Sequence, residues 1–301
     1  MEFKTFDELI KHVQSNDRKK RVAVAAAHDA HALEALIMAD NENIAEPVLI
    51  GYKSQIEDIL KELGTAPDKY EIYETESDKE SAQKAIDLIK EGKADFIMKG
   101  KLQTADLLKA VVNKETGLSR GKAMSHIAMH EVPSYHKLLA VTDGGMMMYP
   151  TLEEKKQILE NAVEIFNNIG YECPKVAVLT AVENVNPKMI ETVDANELKQ
   201  MNLNGEIKNC VVEGPMSYDL AWSKESAEIK GFKSEVVGEA DIMLVPNITT
   251  GNILGKSLIY AANAKMAGFI VGAKVPIVLT SRGASTQEKY LSLAISASAV
   301  K

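Results

Sequence analysis

The 301-residue sequence has only two cysteines and no long apolar run. Cys173 and Cys210 fall in apolar, strand-like surroundings, which predicts buried free thiols rather than a disulfide or a nucleophile. No stretch approaches the roughly 20 apolar residues that a membrane-spanning helix needs. Residues 1–16 are amphipathic and do not form a signal peptide. We therefore expect a cytoplasmic protein with no membrane partner.

The sequence also lacks the excess of positive charge that a nucleic-acid-binding surface needs. Its formal net charge is −8, so we expect no nucleic acid as a partner. An anionic substrate would require a local cationic pocket instead of a field spread over the protein. With 46% hydrophobic and 26% charged residues, the composition is that of a globular protein. A chain of this length is expected to divide into two lobes.

Two common nucleotide-binding motifs are missing. The segment 251–257, Gly-Asn-Ile-Leu-Gly-Lys-Ser, resembles a P-loop, but three residues separate its glycines where a P-loop has four. The cradle of backbone N–H groups around a triphosphate depends on that length. No Gly-x-Gly-x-x-Gly follows any predicted strand, so the nicotinamide fingerprint is absent as well.

Short apolar segments alternate with helical segments along most of the chain. This alternation predicts parallel βαβ units and therefore an α/β fold. The rhythm changes after Gly117, where 123–130 and 137–142 are expected to form an antiparallel pair. We place a lobe boundary there. The first lobe is predicted to comprise 1–142 and 273–301, and the second lobe 143–272.

A strand-to-helix turn near the end of the chain carries several groups suited to an anion. Residues 276–280 form a predicted strand, and the polar run after them leads into the last helix. Arg282 offers a planar fork of donors to a phosphate or carboxylate. Ser281 adds a hydroxyl, Gly283 allows close backbone approach, and Glu288 supplies a candidate base. An ordinary turn with a solvated arginine is the alternative.

Three further predicted strands end in polar loops that suit a phosphate. Met98-Lys99-Gly100-Lys101 follows one strand, Asp143-Gly144-Gly145 another, and 246–252 a third. The last loop contains Asn247, Thr250, Gly251 and Asn252. Because ligands of open α/β sheets bind at the carboxyl ends of the strands, we expect these loops to converge with the turn at 281–283.

The histidines allow a metal site but do not favour one. His28 and His31 have helical spacing, yet His28-Asp29 is better suited to capping a helix. His126 and His130 would share one face of a strand, with no nearby cysteine and no clear third ligand. We expect no metal.

Six segments, in this order, resemble the phosphate acetyl/butyryltransferase family. They are Lys93 to Gly100, Met124-Ser125-His126, Thr142-Asp143-Gly144, Glu213-Gly214-Pro215 with Asp219, Pro246 to Asn252, and Thr280 to Gly283. The similarity runs from about Phe3 to the C-terminus. Met98-Lys99-Gly100, Gly121 to His126 and Asn186 to Met189 are closer to the butyryl branch, since the acetyl branch typically has Ser-Gly-Ala at 99–101.

The resemblance implies a fold, an activity and a set of site residues. The fold would be two α/β lobes flanking a cleft, similar to isocitrate and isopropylmalate dehydrogenases, with the C-terminal segment returning to the first lobe. The chain would form a homodimer or a higher homo-oligomer, with dimers usually formed through the second lobe. The activity would be reversible transfer of an acyl group, most suitably butyryl, between coenzyme A and phosphate, with coenzyme A as a substrate and no permanently bound cofactor. Arg282, Ser281 and Glu288 would be catalytic. The phosphate- or CoA-binding residues would be Lys99, Gly100, Ser125, His126, Asp143, Asn247, Thr250, Gly251, Asn252 and Gly283.

Two departures from the family pattern keep alternatives open. The acetyl branch carries an aspartate, assigned as the base, where this chain has Glu288, and Glu213 stands where the family often has aspartate. The alternatives are a phosphate acetyltransferase, a CoA- or acyl-phosphate-binding protein without turnover, and a dehydrogenase of the related fold. The last would need an acidic metal cluster and a nicotinamide loop, neither of which we find.

Overall fold

A computed structural model describes residues 2–15, 18–281 and 283–300. The chain divides into two compact units. Unit 1 contains residues 2–6 and 123–266, and unit 2 contains 7–122 and 267–300. No helix within the described ranges combines the length and the apolar character needed to cross a membrane.

Helices and strands alternate along the chain as the sequence predicts. Through residue 112 the elements are α1 (Phe6–Gln14), β1 (Lys20–Ala25), α2 (Ala30–Asn41), β2 (Ala45–Gly51), α3 (Lys53–Glu62), a 3₁₀ turn (Pro67–Lys69), β3 (Glu71–Glu74), α4 (Asp78–Lys90), β4 (Phe96–Lys99) and α5 (Thr104–Val112). They continue with β5 (Ser125–Glu131), β6 (Leu139–Thr142), α6 (Leu152–Asn168), β7 (Lys175–Leu179), α7 (Ile190–Leu203), β8 (Val211–Met216), α8 (Tyr218–Trp222), α9 (Lys224–Lys230), β9 (Ile242–Leu244) and α10 (Ile248–Ala262). The last elements are β10 (Lys265–Val271), β11 (Ile277–Val278) and α11 (Thr286–Ala299).

The strands of unit 2 follow the order β3-β2-β1-β4-β11-β10. From β3 to β11 each neighbouring pair is parallel, and β11 pairs antiparallel with β10. Residues 22–25 of β1 are completely buried, as are 96–98 of β4. Central strands of parallel sheets are covered by helices on both faces, which explains these continuous apolar runs.

The strands of unit 1 follow the order β5-β6-β9-β7-β8. β5 and β6 are antiparallel, which confirms the predicted pair, while β6, β9, β7 and β8 are mutually parallel. Because β6 pairs directly with β9, the segment 123–142 packs with the later strands. The two units therefore divide at 6/7, 122/123 and 266/267, whereas the sequence predicted lobe boundaries at 142/143 and 272/273.

Two local predictions differ from the structure. The sequence pattern predicts one helix over 217–230, but the structure has two. Ser223 interrupts the helix with an extended backbone and caps α9 by accepting a hydrogen bond from the Ser226 amide. Cys173 is exposed and only Cys210 is buried, although both are free thiols. Cys173 precedes β7 and so escapes the sheet interior that an apolar neighbourhood suggested.

A capping box starts α6, the longest described helix. The Thr151 hydroxyl accepts a hydrogen bond from the Glu154 amide, and the Glu154 carboxylate accepts one from the Thr151 amide at 2.8 Å. Both amides would otherwise lack a partner at the helix N-terminus.

We expect Thr151→Ala to lower the free energy of unfolding by about 1 kcal/mol, because an alanine cannot accept the capping hydrogen bond. The measurement is urea unfolding followed by circular dichroism. Ser54→Ala is the matched control, since Ser54 is exposed in the first turn of α3 and its hydroxyl makes no hydrogen bond to any described residue. Equal midpoints for Thr151→Ala and the control would contradict the capping role.

Candidate functional site

In unit 2, the loops after β1, β4 and β11 meet at the carboxyl edge of the sheet. They enclose a polar pocket of about 330 Å³. The lining residues are Asp29, Lys99, Gly100, Lys101, Leu102, Gln103, Thr280, Ser281 and Lys289. The pocket therefore gathers Lys99, Gly100 and Ser281, which were predicted from separate stretches of sequence, and it carries more basic than acidic side chains. Such a local concentration of positive charge is what an acidic protein would need to bind an anionic substrate.

A close backbone contact sets the spacing of this pocket. The amides of Gly100 and Lys101 donate to the carbonyls of Ala25 and Ala26, each at 2.8 Å. A Cβ atom on Gly100 would lie 2.1 Å from the Ala26 carbonyl oxygen, which no side chain tolerates. Gly100 is thus required for the close approach of the two loops.

Lys99 holds the loop that follows β4. Its ammonium donates to the carbonyl oxygens of Gly100 at 3.0 Å and Leu102 at 3.1 Å. These bonds fix the position of the positive charge at the pocket wall, because both acceptors belong to the loop itself.

The turn after β11 has the strand-to-helix form that the sequence predicts. Ser281 accepts a backbone hydrogen bond from Ala284, and Ser285 caps α11 by accepting from the Glu288 amide at 3.1 Å. Ser281 and Gly283 are exposed, and Glu288 is half-buried in the first turn of α11. Glu288 is not among the residues that line the unit 2 pocket. Arg282 lies outside the described residues.

Lys289 is a pocket residue that sequence reasoning missed. Its side chain is only 7% exposed, and its ammonium donates to the Ala284 carbonyl oxygen at 2.8 Å. The residues that follow it in α11 are almost all buried. The sequence contained one indication of this residue: a lysine in the first turn of a helix that is otherwise mainly apolar. A lysine in such a place is buried only when it has a specific partner.

In unit 1, Asp143 organises the loop that follows β6. The carboxyl group is 2% exposed and accepts hydrogen bonds from the amides of Gly145 at 2.7 Å, Met146 at 2.8 Å and Met147 at 3.1 Å. Both of its oxygens are occupied by backbone N–H groups. Asp143 therefore shapes the loop, as a carboxylate at a nest of amides does.

Ser125 and His126 lie on β5 and are held by their neighbours. Ser125 is completely buried, and Asn161 donates to its hydroxyl at 3.2 Å. Burial lowers the pKa of His126, with the charge of Asp143 acting in the opposite direction. A Cβ on Gly145 would lie 2.9 Å from the His126 ring, so ring and loop are in close contact. His126 is consequently a neutral packing partner of the 143–147 loop.

The start of α10 packs against the same loop. Asn247 caps the helix by accepting hydrogen bonds from the Thr250 amide at 3.0 Å and hydroxyl at 3.1 Å. A Cβ on Gly251 would lie 2.7 Å from the Gly144 Cα. Asn252 donates to the Gly144 carbonyl oxygen at 3.3 Å. Four predicted residues, Asn247, Thr250, Gly251 and Asn252, thus fix α10 to the loop shaped by Asp143.

A larger, mainly apolar pocket of about 720 Å³ opens beside Asn247 and Thr250. Its apolar wall includes Leu179, Ile190, Tyr218, Ile253 and Leu254. At its edge, Lys155 forms a 2.6 Å ion pair with Asp194. This pocket can take an apolar group next to the polar start of α10.

Two acidic residues from the recognised motifs are engaged in ion pairs. Glu213 bonds to Lys199 at 2.6 Å, and Asp219 lies 3.0 Å from Lys230.

Among the described residues, no group of three or more histidine, cysteine or acidic side chains is placed to hold a metal ion. Asp29 caps α2 by accepting from the Ala32 amide at 2.7 Å, which confirms the predicted capping by the His28-Asp29 segment.

Polar loops at the strand ends of an α/β sheet are typical of enzymes that act on small molecules. Comparison with known proteins identifies the family. The chain matches the phosphate acetyl/butaryl transferase family over residues 5–87 and 78–297, and it belongs to that family. It is 45% identical over 294 residues to the phosphate butyryltransferase of Clostridium acetobutylicum, covering 98% of this chain and 97% of the relative. It is 43% identical to the phosphate acetyltransferase of Thermotoga maritima, covering 92% and 94%.

A solved structure agrees with these sequence comparisons. The branched-chain phosphotransacylase of Enterococcus faecalis V583 superposes with a TM-score of 0.83 at 34% identity, covering 93% of this chain and 98% of the other. The α/β fold that the sequence predicted is therefore confirmed.

The buried His130 of β5 leads to a prediction about pH. Burial lowers the pKa of His130 to about 4, whereas an unperturbed histidine titrates at 6.5. Between these values the unfolded chain binds a proton that the folded chain does not, so the free energy of unfolding is highest above about pH 6.5 and falls toward about pH 4.

We expect His130→Leu to make the free energy of unfolding less dependent on pH, by up to about 3 kcal/mol across this window. Urea unfolding at several pH values measures the slope, which is independent of any constant loss from repacking. His31→Leu is the control, because the side chain of His31 is 74% exposed. Parallel pH profiles for wild type and His130→Leu would refute the assignment.

Proposed function

We propose that this chain is a phosphate acyltransferase that converts acyl-CoA and phosphate to acyl phosphate and coenzyme A, with butyryl as the acyl group. The observation that carries the proposal is membership of the family together with 45% identity to a phosphate butyryltransferase over nearly the whole chain. The cationic pocket of unit 2 supports it, because both substrates and both products are anions and the protein is acidic overall.

The reaction needs no covalent bond to the protein. In the direction of acyl-CoA, a base removes the thiol proton of coenzyme A and the thiolate attacks the carbonyl carbon of the acyl phosphate. The tetrahedral oxyanion collapses, the carbon–oxygen bond to phosphate breaks, and phosphate leaves. This route assigns no role to either cysteine, in keeping with burial that raises the pKa of Cys210 to about 12.

Three residues of the last turn are proposed as catalytic. Arg282 holds the phosphoryl oxygens and offsets negative charge in the transition state, and Ser281 donates to a phosphate or oxyanion oxygen. Glu288 is the proposed base. Its place in the first turn of α11, directly after the loop that carries Ser281, supports this assignment, although it is not among the residues that line the pocket.

The other predicted residues divide between binding and positioning. Lys99 and Gly100 are proposed to bind phosphate in unit 2, with Gly283 leaving space at the turn. Ser125, His126 and Asp143 are proposed to position the 143–147 loop for coenzyme A. The hydroxyl of Ser125 and the carboxylate of Asp143 accept hydrogen bonds from protein groups, and the His126 ring packs against Gly145. Asn247, Thr250, Gly251 and Asn252 are proposed to hold the start of α10 in position for the substrate.

The arrangement of two lobes flanking a cleft, which the family resemblance implies, stays a prediction. Location in the cytoplasm stays a prediction as well.

Coenzyme A is proposed as a substrate, and no cofactor is proposed to stay bound.

A phosphate acetyltransferase is the second candidate, favoured by the 43% identity to the enzyme of Thermotoga maritima. One buried methylene is worth only about 0.8 kcal/mol, so a pocket separates acetyl from butyryl weakly. A binding protein without turnover and a dehydrogenase of the related fold are the alternatives of other classes.

The test is phosphate-dependent release of free CoA thiol from acetyl-, propionyl-, butyryl- and isobutyryl-CoA. We expect rapid release that requires phosphate and is fastest with four carbons. For Arg282→Ala we expect kcat/KM for phosphate to fall by about 100-fold or more with the circular dichroism spectrum unchanged, because a charged donor to the transition state is lost.

Lys109→Met is the control for this loss of one positive charge, because Lys109 is exposed on α5. Release that ignores phosphate would indicate a thioesterase, and no release would favour a binding protein. Near-normal turnover by Arg282→Ala would overturn the proposed phosphate site.

We also propose a homodimer formed through unit 1. Ile253 and Tyr260 of α10 are 60% and 81% exposed, and Ile190 at the start of α7 is 65% exposed. Ile190 and Ile253 line the same pocket, and exposed apolar side chains that lie close together are typical of an interface.

We expect Tyr260→Lys to shift the protein from dimer to monomer in sedimentation equilibrium, because a buried lysine at the interface would lose its hydration. Ile229→Lys is the control, since Ile229 is 80% exposed on α9, away from these residues in sequence. A wild-type monomer, or a dimer that survives in Tyr260→Lys, would contradict this interface.

A further inference from the structure

The buried ammonium of Lys289 has fewer partners than its burial requires. Its side chain is 7% exposed, so most of its hydration is lost. Among the described residues, the ammonium donates one hydrogen bond, to the Ala284 carbonyl oxygen, and forms no ion pair. A buried charge with a single neutral acceptor is unfavourable unless another group compensates it.

The geometry around Lys289 indicates what that group is. Lys289 lines the polar pocket of unit 2 together with Thr280 and Ser281, so its remaining N–H donors have access to that space. Asp29 is the one acidic residue in the lining, and its carboxylate already accepts the capping hydrogen bond from Ala32. A small tetrahedral anion in the pocket would supply the missing acceptors.

The two other lysines of the pocket either have more hydrogen-bond acceptors than Lys289 or are exposed to solvent. Lys99 donates to two carbonyl oxygens of its own loop, and Lys101 is exposed to solvent. Lys289 exposes little surface and is held in place by its hydrogen bond to Ala284. It can therefore bind an anion with little further cost in desolvation or side-chain entropy.

We propose that Lys289 is a phosphate-binding residue of the unit 2 pocket, which contacts inorganic phosphate and the phosphoryl group of the acyl phosphate. Through its hydrogen bond to Ala284 it also positions the turn that carries Ser281. This inference rests on the proposed function and assigns the phosphoryl end of the substrate to a residue that the family motifs did not point to.

Phosphate binding is tested first without turnover, by the shift in melting temperature that inorganic phosphate produces. We expect phosphate to stabilise wild type and Lys109→Met, because ligand binding to the folded state raises its stability. Lys289→Met should lose most of this stabilisation. Lys289→Arg, which keeps the charge, should retain part of it, and Lys289→Gln replaces the methionine variant if that variant does not fold.

Kinetics supply the second measurement. We expect Lys289→Met to raise KM for phosphate about 10-fold or more while KM for butyryl-CoA changes by less than about 2-fold, since only the phosphoryl contact is removed. A purely structural lysine would lower the melting temperature without separating the two KM values.

The outcomes separate this inference from the proposed function. If wild type binds phosphate but releases no CoA, the proposed function fails and the comparison of melting temperatures still tests Lys289. If phosphate stabilises Lys289→Met as much as wild type, or stabilises neither, the assignment of Lys289 is overturned.

Discussion

The close backbone contact between Gly100 and Ala26 is the constraint on which the unit 2 pocket depends. Two hydrogen bonds continue the pairing of β4 with β1 beyond the strand ends, so the loops after both strands stay side by side. Only glycine permits this distance. The result is a narrow space lined by Lys99, Lys289 and Ser281, where we propose that an anion binds.

In unit 1, too, a close contact at glycine residues holds a loop in place. Backbone N–H groups after β6 converge on the buried carboxylate of Asp143, and the glycine contact between 144 and 251 brings α10 onto that loop. Polar residues of the recognised motifs therefore act largely on the backbone. Their spacing in the sequence reflects the shape of a loop as much as direct contact with a substrate.

Electrostatics connects these local features to the chemistry. The chain carries an excess of acidic residues, yet the pocket of unit 2 concentrates ammonium groups in a small volume. Burial strengthens the attraction of Lys289 for an anion because little water is left to screen it. Such a site suits a reaction in which phosphate is released and recaptured while the acyl group passes directly between oxygen and sulfur.

The sequence by itself determined the alternation of helices and strands, the α/β fold, the family and the loops that carry Ser281, Gly100 and Asn247. These are local properties, since periodicity and turn chemistry act over a few residues. Tertiary structure decided the division at 122/123, the exposure of Cys173 and the burial of Lys289. Strand pairing and burial depend on residues far apart in the chain, so no local pattern reports them.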